Sequence, residues 1–238
     1  LDIAFTRYNA TGDAISPKFT QVVDGGGNSQ LFVGQIDYTN PITENMKLEG
    51  GLRSQIRWFE SFQKISDNGV PRPELSNEYQ YIYYVHAAYS SFSQKFKKLN
   101  LNYQVGLRVE SSKYDGEQIG SLNKYSNQFP LALFPSVFVS KTLKGKQDLQ
   151  INYSRRINRP SFFQLLPNTD ISDIFNYQTG NPNLVPEFTN SLELSYQKTY
   201  GEKNNTVLAT LFGKQTNNLI SRYQDRQKIG SSNLTALV

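Results

Sequence analysis

Residues 99–110 read Leu-Asn-Leu-Asn-Tyr-Gln-Val-Gly-Leu-Arg-Val-Glu, an alternation in which every second side chain is apolar or aromatic. Side chains of a β-strand point alternately to its two faces, so this run has one apolar face and one wet face. It is longer than the typical strand of about five or six residues and reaches the roughly nine to eleven residues that a tilted strand needs to cross a bilayer. The stretch predicts a long strand, from Leu99 to Val109, that is apolar on one side only.

The same two-residue period recurs before and after this stretch. In the run that starts at Met46, the apolar face includes Leu52 and Trp58, and the polar face includes Arg53 and Arg57. Further runs start near Leu31, Tyr79, Leu131, Leu149, Leu192 and Val207. Together with partial strands at both ends of the chain, they predict about ten strands.

The run from Tyr79 to Tyr89 has tyrosines at several alternate positions, and we take these odd-numbered residues as its apolar face. The chain's single histidine, His86, then lies on the wetter face. Aromatic residues toward the strand ends, among them Trp58, Tyr79 and Tyr81, are placed as in the interfacial girdles of a membrane barrel.

The connections between these runs alternate between two lengths. The short ones fall at residues 41–45, 94–98, 144–147 and 201–204, and the long ones at 10–29, 66–77, 112–128, 160–187 and 225–232. Because consecutive antiparallel strands reverse direction, all short turns lie at one end of the sheet and all long loops at the other. Bacterial outer-membrane barrels have this asymmetry, whereas β-sandwiches distribute their connections less regularly. The predicted fold class is all-β, an antiparallel up-and-down transmembrane β-barrel.

The composition agrees with strands that are wet on one side. The chain has 238 residues and 13% aromatic residues, yet its mean hydropathy is −0.54. No stretch of 18 consecutive apolar residues occurs, so no transmembrane helix is predicted. The absence of cysteine excludes thiol catalysis and thiolate metal sites. The net charge of +5 is scattered rather than gathered in one stripe, which argues against a nucleic-acid partner.

Two motifs lie in the stretch from Tyr153 to Tyr196. The first, in YSRRINRPSFFQLLPN, consists of Arg159, Pro160 and Ser161. The second, in TGNPNLVPEFTNSLELSY, consists of Asn181, Pro182, Asn183, Leu184, Pro186 and Glu187, with Glu193 inside the strand that follows. They resemble the strand end and the strand start around a long outer loop in TonB-dependent outer-membrane receptors, specifically the outer-membrane β-barrel family common in Bacteroidetes. Residues 36–42, IDYTNPI, are similar to another strand-turn signature of that family.

The resemblance implies a receptor of the bacterial cell outer membrane. Such receptors import a scarce nutrient, for example a metal chelate, an oligosaccharide or a peptide, with energy relayed through TonB. The implied partners are outer-membrane lipid, the plug domain of the same chain and TonB, with a surface lipoprotein as a further candidate. Complete receptors of this type have a plug and about 22 strands, which this sequence does not contain. We therefore expect residues 1–238 to be a single-domain piece of a larger barrel, without the plug and the remaining strands.

Strand parity and loop position give the candidate site residues. Glu187 and Glu193 lie six residues apart, so a regular strand places them on the same face, where we expect a hydrogen-bonding role. The candidates that face the lumen or the plug are Arg53, Arg57, Arg108, Glu110, Arg156, Glu187 and Glu193. Because long loops carry recognition, the substrate-facing candidates are Arg159, Phe162, Phe163, Asp170, Asp173, Phe175 and Tyr177. We expect the lumen set to dock the plug rather than the substrate.

No catalytic residue, metal site or cofactor is predicted. Histidine is the usual general base, and the lone His86 is interpreted as a hydrogen-bonding residue of the lumen. Acidic pairs such as Asp170 and Asp173 do not form a calcium-binding loop. The glycines at 25–27 are placed in a loop with no following helix, so they indicate flexibility rather than a phosphate cradle.

Two other functions remain open on the sequence alone. One is a passive porin-type barrel, whose loops fold inward to set the selectivity of the pore. The other is a soluble secreted β-sandwich that binds glycans. A barrel puts Leu101, Tyr103 and Leu107 outside against lipid, whereas a sandwich buries them in a dry core.

Overall fold

The computed structural model describes residues 2–5, 11–13, 19–73, 75–120, 122–167, 169–170, 176–229 and 232–237. The strands of the described residues are, in chain order, β1 (Asp2–Phe5), β2 (Phe19–Thr43), β3 (Met46–Asp67), β4 (Val70–Pro71), β5 (Asn77–Phe96), β6 (Leu101–Gln118), β7 (Lys124–Leu143), β8 (Gln147–Asn158), β9 (Thr169–Asp170), β10 (Asn176–Thr179), β11 (Glu187–Tyr200), β12 (Asn205–Asn217), β13 (Gln224–Ile229) and β14 (Ser232–Leu237). A 3₁₀ helix, η1 (Lys97–Leu99), and a short α-helix, α1 (Phe162–Leu165), lie between strands.

Most strands belong to one antiparallel sheet. Its order is β1-β2-β3-β5-β6-β7-β8-β11-β12, and β4 pairs with β3. Each long strand therefore lies beside the next long strand of the chain, as in an up-and-down barrel wall. A second, four-stranded sheet has the order β13-β14-β10-β9, in which β10 and β14 are parallel. Within the described residues the main sheet is not closed, since neither β1 nor β2 pairs with β12.

Strand β6 has the two faces that its sequence predicts. Glu110 is 6% exposed, whereas Val105 and Leu107 are 41% and 47% exposed. Within the segment 159–186, the described residues 159–167 and 178–186 fold over the face that carries Glu110, which we call the covered face. We call the face that carries Leu107 the open face. One detail differs from the prediction, because η1 includes Leu99 and Asn100 adopts a φ of 48°, so that the strand begins at Leu101.

The open face continues across the neighbouring strands. In register, Ile36 of β2 lies opposite Leu52 of β3, and Val109 of β6 lies opposite Leu133 of β7. Large apolar side chains that are exposed on this face are Phe32, Ile36, Leu52, Trp58, Leu107, Leu133, Ile151, Leu192 and Leu194. An apolar surface of this extent is far larger than the patches that soluble monomers expose.

The face assignment predicted for β5 is wrong. Tyr83 lies opposite Arg57 and Tyr114, so the odd-numbered residues of β5 lie on the covered face. His86 lies on the open face instead, where its Nδ1 is 3.0 Å from Ser54 Oγ. The prediction failed because tyrosine combines an apolar ring with a polar hydroxyl and suits either face of a sheet. Tyr79 and Tyr81 therefore belong to the covered face and not to an aromatic girdle against lipid.

Several strands are longer than predicted. They have 18 to 25 residues, whereas a tilted strand needs roughly nine to eleven to cross a bilayer. The glycines at 25–27 lie inside β2 rather than in a loop. A Cβ atom on Gly26 would lie 2.9 Å from the ring of Phe62, so glycine permits this ring to pack against the strand. The connection predicted at 112–128 is reduced to residues 119–123, and part of the loop predicted at 225–232 is β13.

The short and long connections lie at opposite ends of the sheet, as predicted. Short turns at residues 44–45, 97–100, 144–146 and 201–204 lie at one end of the sheet, and the described parts of the segment 159–186 lie at the other. None of the described helices has the length and hydropathy that crossing a membrane requires.

Candidate functional site

The segment that follows β8 folds back over the covered face. Its first turn is α1, which begins with a capping box: Ser161 Oγ accepts from the backbone N–H of Gln164, and the Gln164 side chain accepts from the backbone N–H of Ser161. Such a reciprocal cap fixes the direction in which the helix starts. The cap places Phe162 against the sheet, with ring centroids 4.2 Å from Phe59 and 5.1 Å from Tyr81.

The motif predicted at the end of this segment anchors it to β6. The Tyr114 hydroxyl donates to the carbonyl oxygen of Pro182 over 2.6 Å. Asn181 Oδ1 accepts from the backbone N–H of Asn183, which stabilises the turn, and Pro186 is fully buried. The asparagine and proline residues of the motif therefore position the returning chain, as their restricted backbone conformations predict.

An ion-pair cluster ties the start of the segment to the sheet. Arg159 Nη2 donates to Glu110 Oε2, and Arg108 Nε donates to Glu110 Oε1 over 2.5 Å. The Glu110 side chain is only 7% exposed, so both guanidinium groups compensate a largely buried carboxylate. The cluster joins residues that the sequence assigned separately to the lumen and to the substrate-facing loop.

A cavity of about 500 Å³ opens beside this cluster, and we call it the arginine cavity. It contains four guanidinium groups and one carboxylate. Its lining comprises Arg53, Gln55, Arg57, Phe59, Tyr81, Tyr83, Val85, Arg108, Glu110, Arg159, Pro160, Ser161, Phe162 and Phe163. Three of the seven predicted loop residues and four of the seven predicted lumen residues thus meet at one place.

A second cavity of about 590 Å³, which we call the amide cleft, lies on the other side of α1. Its polar side chains are mainly neutral amides and hydroxyls, with Arg222 as the charged exception. It is lined by Val23, Gly25, Gly26, Gly27, Phe59, Ser61, Phe62, Gln63, Asn77, Tyr79, Phe163, Gln164, Leu166, Gln178, Thr179, Gly180, Asn181, Leu184, Ile220, Ser221, Arg222 and Tyr223. Phe59 and Phe163 line both cavities, and Phe163 is 69% exposed.

The remaining predicted residues lie apart from the two cavities. Glu187 is buried and accepts from Asn158 Nδ2 over 2.7 Å and from the backbone N–H of Ile220 over 2.6 Å, the hydrogen-bonding role expected of it. Glu193 accepts from Ser195 Oγ over 3.2 Å, and Arg156 is exposed.

Four residues of the predicted loop set cannot be placed in this geometry. Asp173 and Phe175 lie outside the described residues, and Asp170 and Tyr177 are described by their backbones alone, in β9 and β10. Across the side chains that the structure does describe, no group of three or more His, Asp or Glu could hold a metal ion.

Sequence reasoning missed the aromatic wall of the arginine cavity. Phe59, Tyr81 and Tyr83 come from β3 and β5, and Tyr81 and Tyr83 stack with centroids 6.4 Å apart. The register of β3 would have revealed Phe59, which has the same parity as Arg53 and Arg57. The tyrosines were missed because β5 was assigned to the opposite face.

Comparison with solved structures shows how this fold is used elsewhere. The copper transporter OprC matches with a TM-score of 0.57 and 13% identity, over 92% of this chain and 33% of its own. A double mutant of the Serratia marcescens haemophore receptor HasR, solved with its haemophore HasA and haem, matches with a TM-score of 0.50 and 12% identity, over 95% of this chain and 50% of its own. This chain thus spans a third to a half of those proteins, and the likeness concerns the fold. A search of the curated proteins finds no match.

The family comparison covers almost the whole sequence. The model of the outer membrane protein beta-barrel family matches residues 2–236, which include every strand of the main sheet. A family of outer-membrane barrels accounts for a long antiparallel main sheet with one exposed apolar face, and it rules out a secreted β-sandwich. The chain therefore belongs to the outer membrane protein beta-barrel family and to the bacterial outer membrane.

Proposed function

We propose that this chain forms part of the wall of an outer-membrane receptor that imports a scarce nutrient with energy relayed through TonB. The observation that carries the proposal is the long segment 159–186, whose described residues 159–167 and 178–186 fold over the covered face of a barrel wall and line two cavities there. A simple membrane anchor needs no such cavities. Two solved proteins with this fold, a copper transporter and a haemophore receptor, support a role in uptake.

The open face fits outer-membrane lipid, and the covered face fits the lumen. Ile36 and Leu52 are 73% and 61% exposed on the open face, where contact with lipid tails removes the cost of hydrating them. The covered face carries Arg53, Arg57 and Glu110, which suit a water-filled or protein-filled interior. Charged side chains are disfavoured on the lipid face of such barrels.

The proposed partners follow from this orientation. The plug domain of the same protein would occupy the lumen below the cavities, and TonB would act through that plug. The end of the sheet that carries segment 159–186 would face the outside of the cell, where a surface lipoprotein could meet it. In this proposal the chain moves its cargo without covalent chemistry of its own.

Energy-dependent uptake by the complete protein tests the proposal. Cells that express it would be given radiolabelled ferric citrate, a labelled malto-oligosaccharide and a labelled tripeptide, one for each class of nutrient. We expect one class to accumulate above its external concentration, and we expect that accumulation to stop when TonB is deleted. Uptake that never exceeds equilibrium, or that is the same without TonB, would contradict the proposal.

A passive porin is the second candidate, and the inward fold of segment 159–186 favours it. Inward-folded loops constrict porin channels and set their selectivity. The contact of Phe162 with Phe59 and Tyr81 holds this segment against the sheet in the same manner. Single-channel conductance separates the candidates, because a porin conducts ions steadily in a planar bilayer, whereas a plugged receptor does not.

A further inference from the structure

The arginine cavity has more positive charge than its own acids can balance. Arg53, Arg57, Arg108 and Arg159 line it, and Glu110 is its single carboxylate. That carboxylate already accepts from Arg108 and Arg159 through its two oxygens. The lining therefore retains a net charge of about +3, because arginine stays protonated at every physiological pH.

No acidic residue lies directly opposite Arg53 or Arg57 in the sheet. Arg53 lies between Gln35 of β2 and Ala87 of β5, and Arg57 lies between Leu31 and Tyr83 in the same way. Among the described residues, neither arginine forms a salt bridge. A sheet usually balances a charge with an opposite charge directly across on the next strand, and neither arginine has such a partner.

Arg159 adds a further unused donor to the cavity. Its Nη2 binds Glu110, but its Nε is buried and has no hydrogen-bond partner among the described residues. A buried donor without an acceptor is costly, and a bound acceptor removes that cost. The cavity thus offers both uncompensated charge and an unsatisfied donor.

We propose that the arginine cavity binds the oxyanion group, a carboxylate or a phosphate, of the molecule that the receptor imports. This inference rests on the proposed function and names the chemical class of its cargo. Guanidinium groups form paired hydrogen bonds with carboxylate and phosphate oxygens, and several such groups in one cavity attract anions from a distance. A volume of about 500 Å³ accommodates a small organic anion.

The amide cleft accounts for the rest of such a molecule. It meets the arginine cavity at Phe59 and Phe163, so one ligand can lie against both. Polar side chains such as Ser61 and Gln178, together with these aromatic rings, suit a neutral polar portion. The cargo inferred from the two cavities is therefore a polar molecule with an anionic end.

Calorimetric titration of the complete receptor in detergent tests the inference. Citrate and inorganic phosphate serve as probes for the two oxyanions, and maltotriose serves as a neutral probe. We expect at least one of the two anions to bind, and we expect the double variant Arg53→Gln/Arg57→Gln to weaken that binding about tenfold or more, as the loss of charge-assisted hydrogen bonds predicts. Preference for citrate or for phosphate identifies the carboxylate or the phosphate as the recognised group.

The matched control is Lys141→Gln/Lys144→Gln, which removes the same charge from the last turn-side residues of β7 and from the short turn that follows, at the other end of the sheet. We expect this variant to bind the anion as the unmodified receptor does. The variant Arg53→Lys/Arg57→Lys keeps the charge but loses the paired donors, and we expect it to bind with intermediate affinity. If the glutamine variant proves unstable, this lysine variant still tests the site.

Two results would overturn the inference. One is the absence of anion binding by the unmodified receptor, and the other is an equal loss of affinity in both glutamine variants. Either result would mean that Arg53 and Arg57 bind another part of the protein, such as an acidic surface of the plug, and not the cargo. Uptake is measured in a separate experiment, so a failure of the binding test does not contradict TonB-dependent import. Anion binding without energy-dependent uptake would contradict the receptor function and leave the anion site unaffected.

Discussion

Tyr89 reaches across β3 at Gly51, where a side chain would block its path. Its hydroxyl donates to Asp37 Oδ1, and Gln35 Nε2 donates to Asp37 Oδ2 over 2.8 Å. The ring also lies beneath Arg108, whose guanidinium carbon is 5.6 Å from the ring centroid. A single glycine thus permits a contact that links β2, β5 and β6 on the covered face.

The substitution Gly51→Ala should disrupt this contact. A Cβ atom there would lie 2.6 Å from both the Tyr89 hydroxyl oxygen and the carbonyl oxygen of Ile36. We expect a loss of about 1–3 kcal/mol in the free energy of unfolding, the usual range for overpacking. Urea unfolding in detergent measures it. Gly213→Ala is the control, because nothing lies within 4 Å of that position, and equal losses in both variants would contradict the prediction.

Replacing Glu110 tests the ion-pair cluster. The substitution Glu110→Gln leaves Arg108 and Arg159 without their shared carboxylate, so we expect a loss of roughly 2–3 kcal/mol, as for hydrogen bonds to charged groups. Because Arg159 begins the segment 159–186, protease cleavage within that segment should also become faster. The control is Glu193→Gln, an exposed carboxylate whose replacement we expect to change stability by less than about 0.5 kcal/mol. A Glu110→Gln variant as resistant to cleavage as the unmodified protein would show that the cluster does not hold the segment.

Among the elements, α1 has an effect larger than its length suggests. It has only four residues, yet its first residue, Phe162, packs against Phe59 and Tyr81, and the helix lies between the two cavities. A helix this short has little intrinsic stability in water, so its cap and its ring contacts must maintain it.

Two adjacent phenylalanines of α1 give a matched test. We expect Phe162→Ala to destabilise the docked segment by roughly 2 kcal/mol, because it removes packed ring contacts, and to expose residues 159–186 to protease. Phe163 is 69% exposed and its ring meets Phe59 edge-on, with centroids 6.0 Å apart, so Phe163→Ala should lower protease resistance much less. Mass spectrometry of the cleavage products locates the cuts. Equal cleavage in both variants would mean that Phe162 does not anchor the segment.

The strands differ in how well their sequences predicted them. In β6, polar residues such as Arg108 and Glu110 alternate with Leu107 and Val109, and the two faces were predicted correctly. In β5 the alternating residues are tyrosines, whose rings and hydroxyls are compatible with either environment, so only the register with β3 decides the face. An alternating sequence predicts which face of a strand is apolar only if its two sets of side chains differ strongly in hydration.

For the whole molecule, the orientation of the sheet in the membrane is open to direct measurement. The chain contains no cysteine, so single cysteines can be introduced and labelled with nitroxide. We expect labels at Leu107→Cys and Leu133→Cys in the complete receptor to collide with oxygen, which concentrates in lipid. A label at Ser136→Cys, on the covered face, should collide with a water-soluble nickel complex instead. The reverse pattern would overturn the assignment of the two faces.

The arginine cavity shows what the sequence could not predict at this scale. Parity placed Arg53, Arg57, Arg108 and Glu110 on one face, and the motif placed Arg159 in a long loop. Their meeting depends on the path of residues 159–186 after β8, which is set by α1 and by the contact of Tyr114 with Pro182. No periodicity in the sequence encodes that path, because it arises from irregular turns and distant contacts.

The order of strands in the main sheet has a consequence for how the protein assembles. Most long strands pair with the strand that follows them after a short connection, so their contact order is low and each hairpin can form early. The pairing of β8 with β11 must instead close the loop formed by residues 159–186, which costs roughly 2 kcal/mol more in chain entropy than closing a four-residue turn. We expect the pairing of β8 with β11 to form last during insertion, so that the hairpins on either side of it assemble as separate kinetic units.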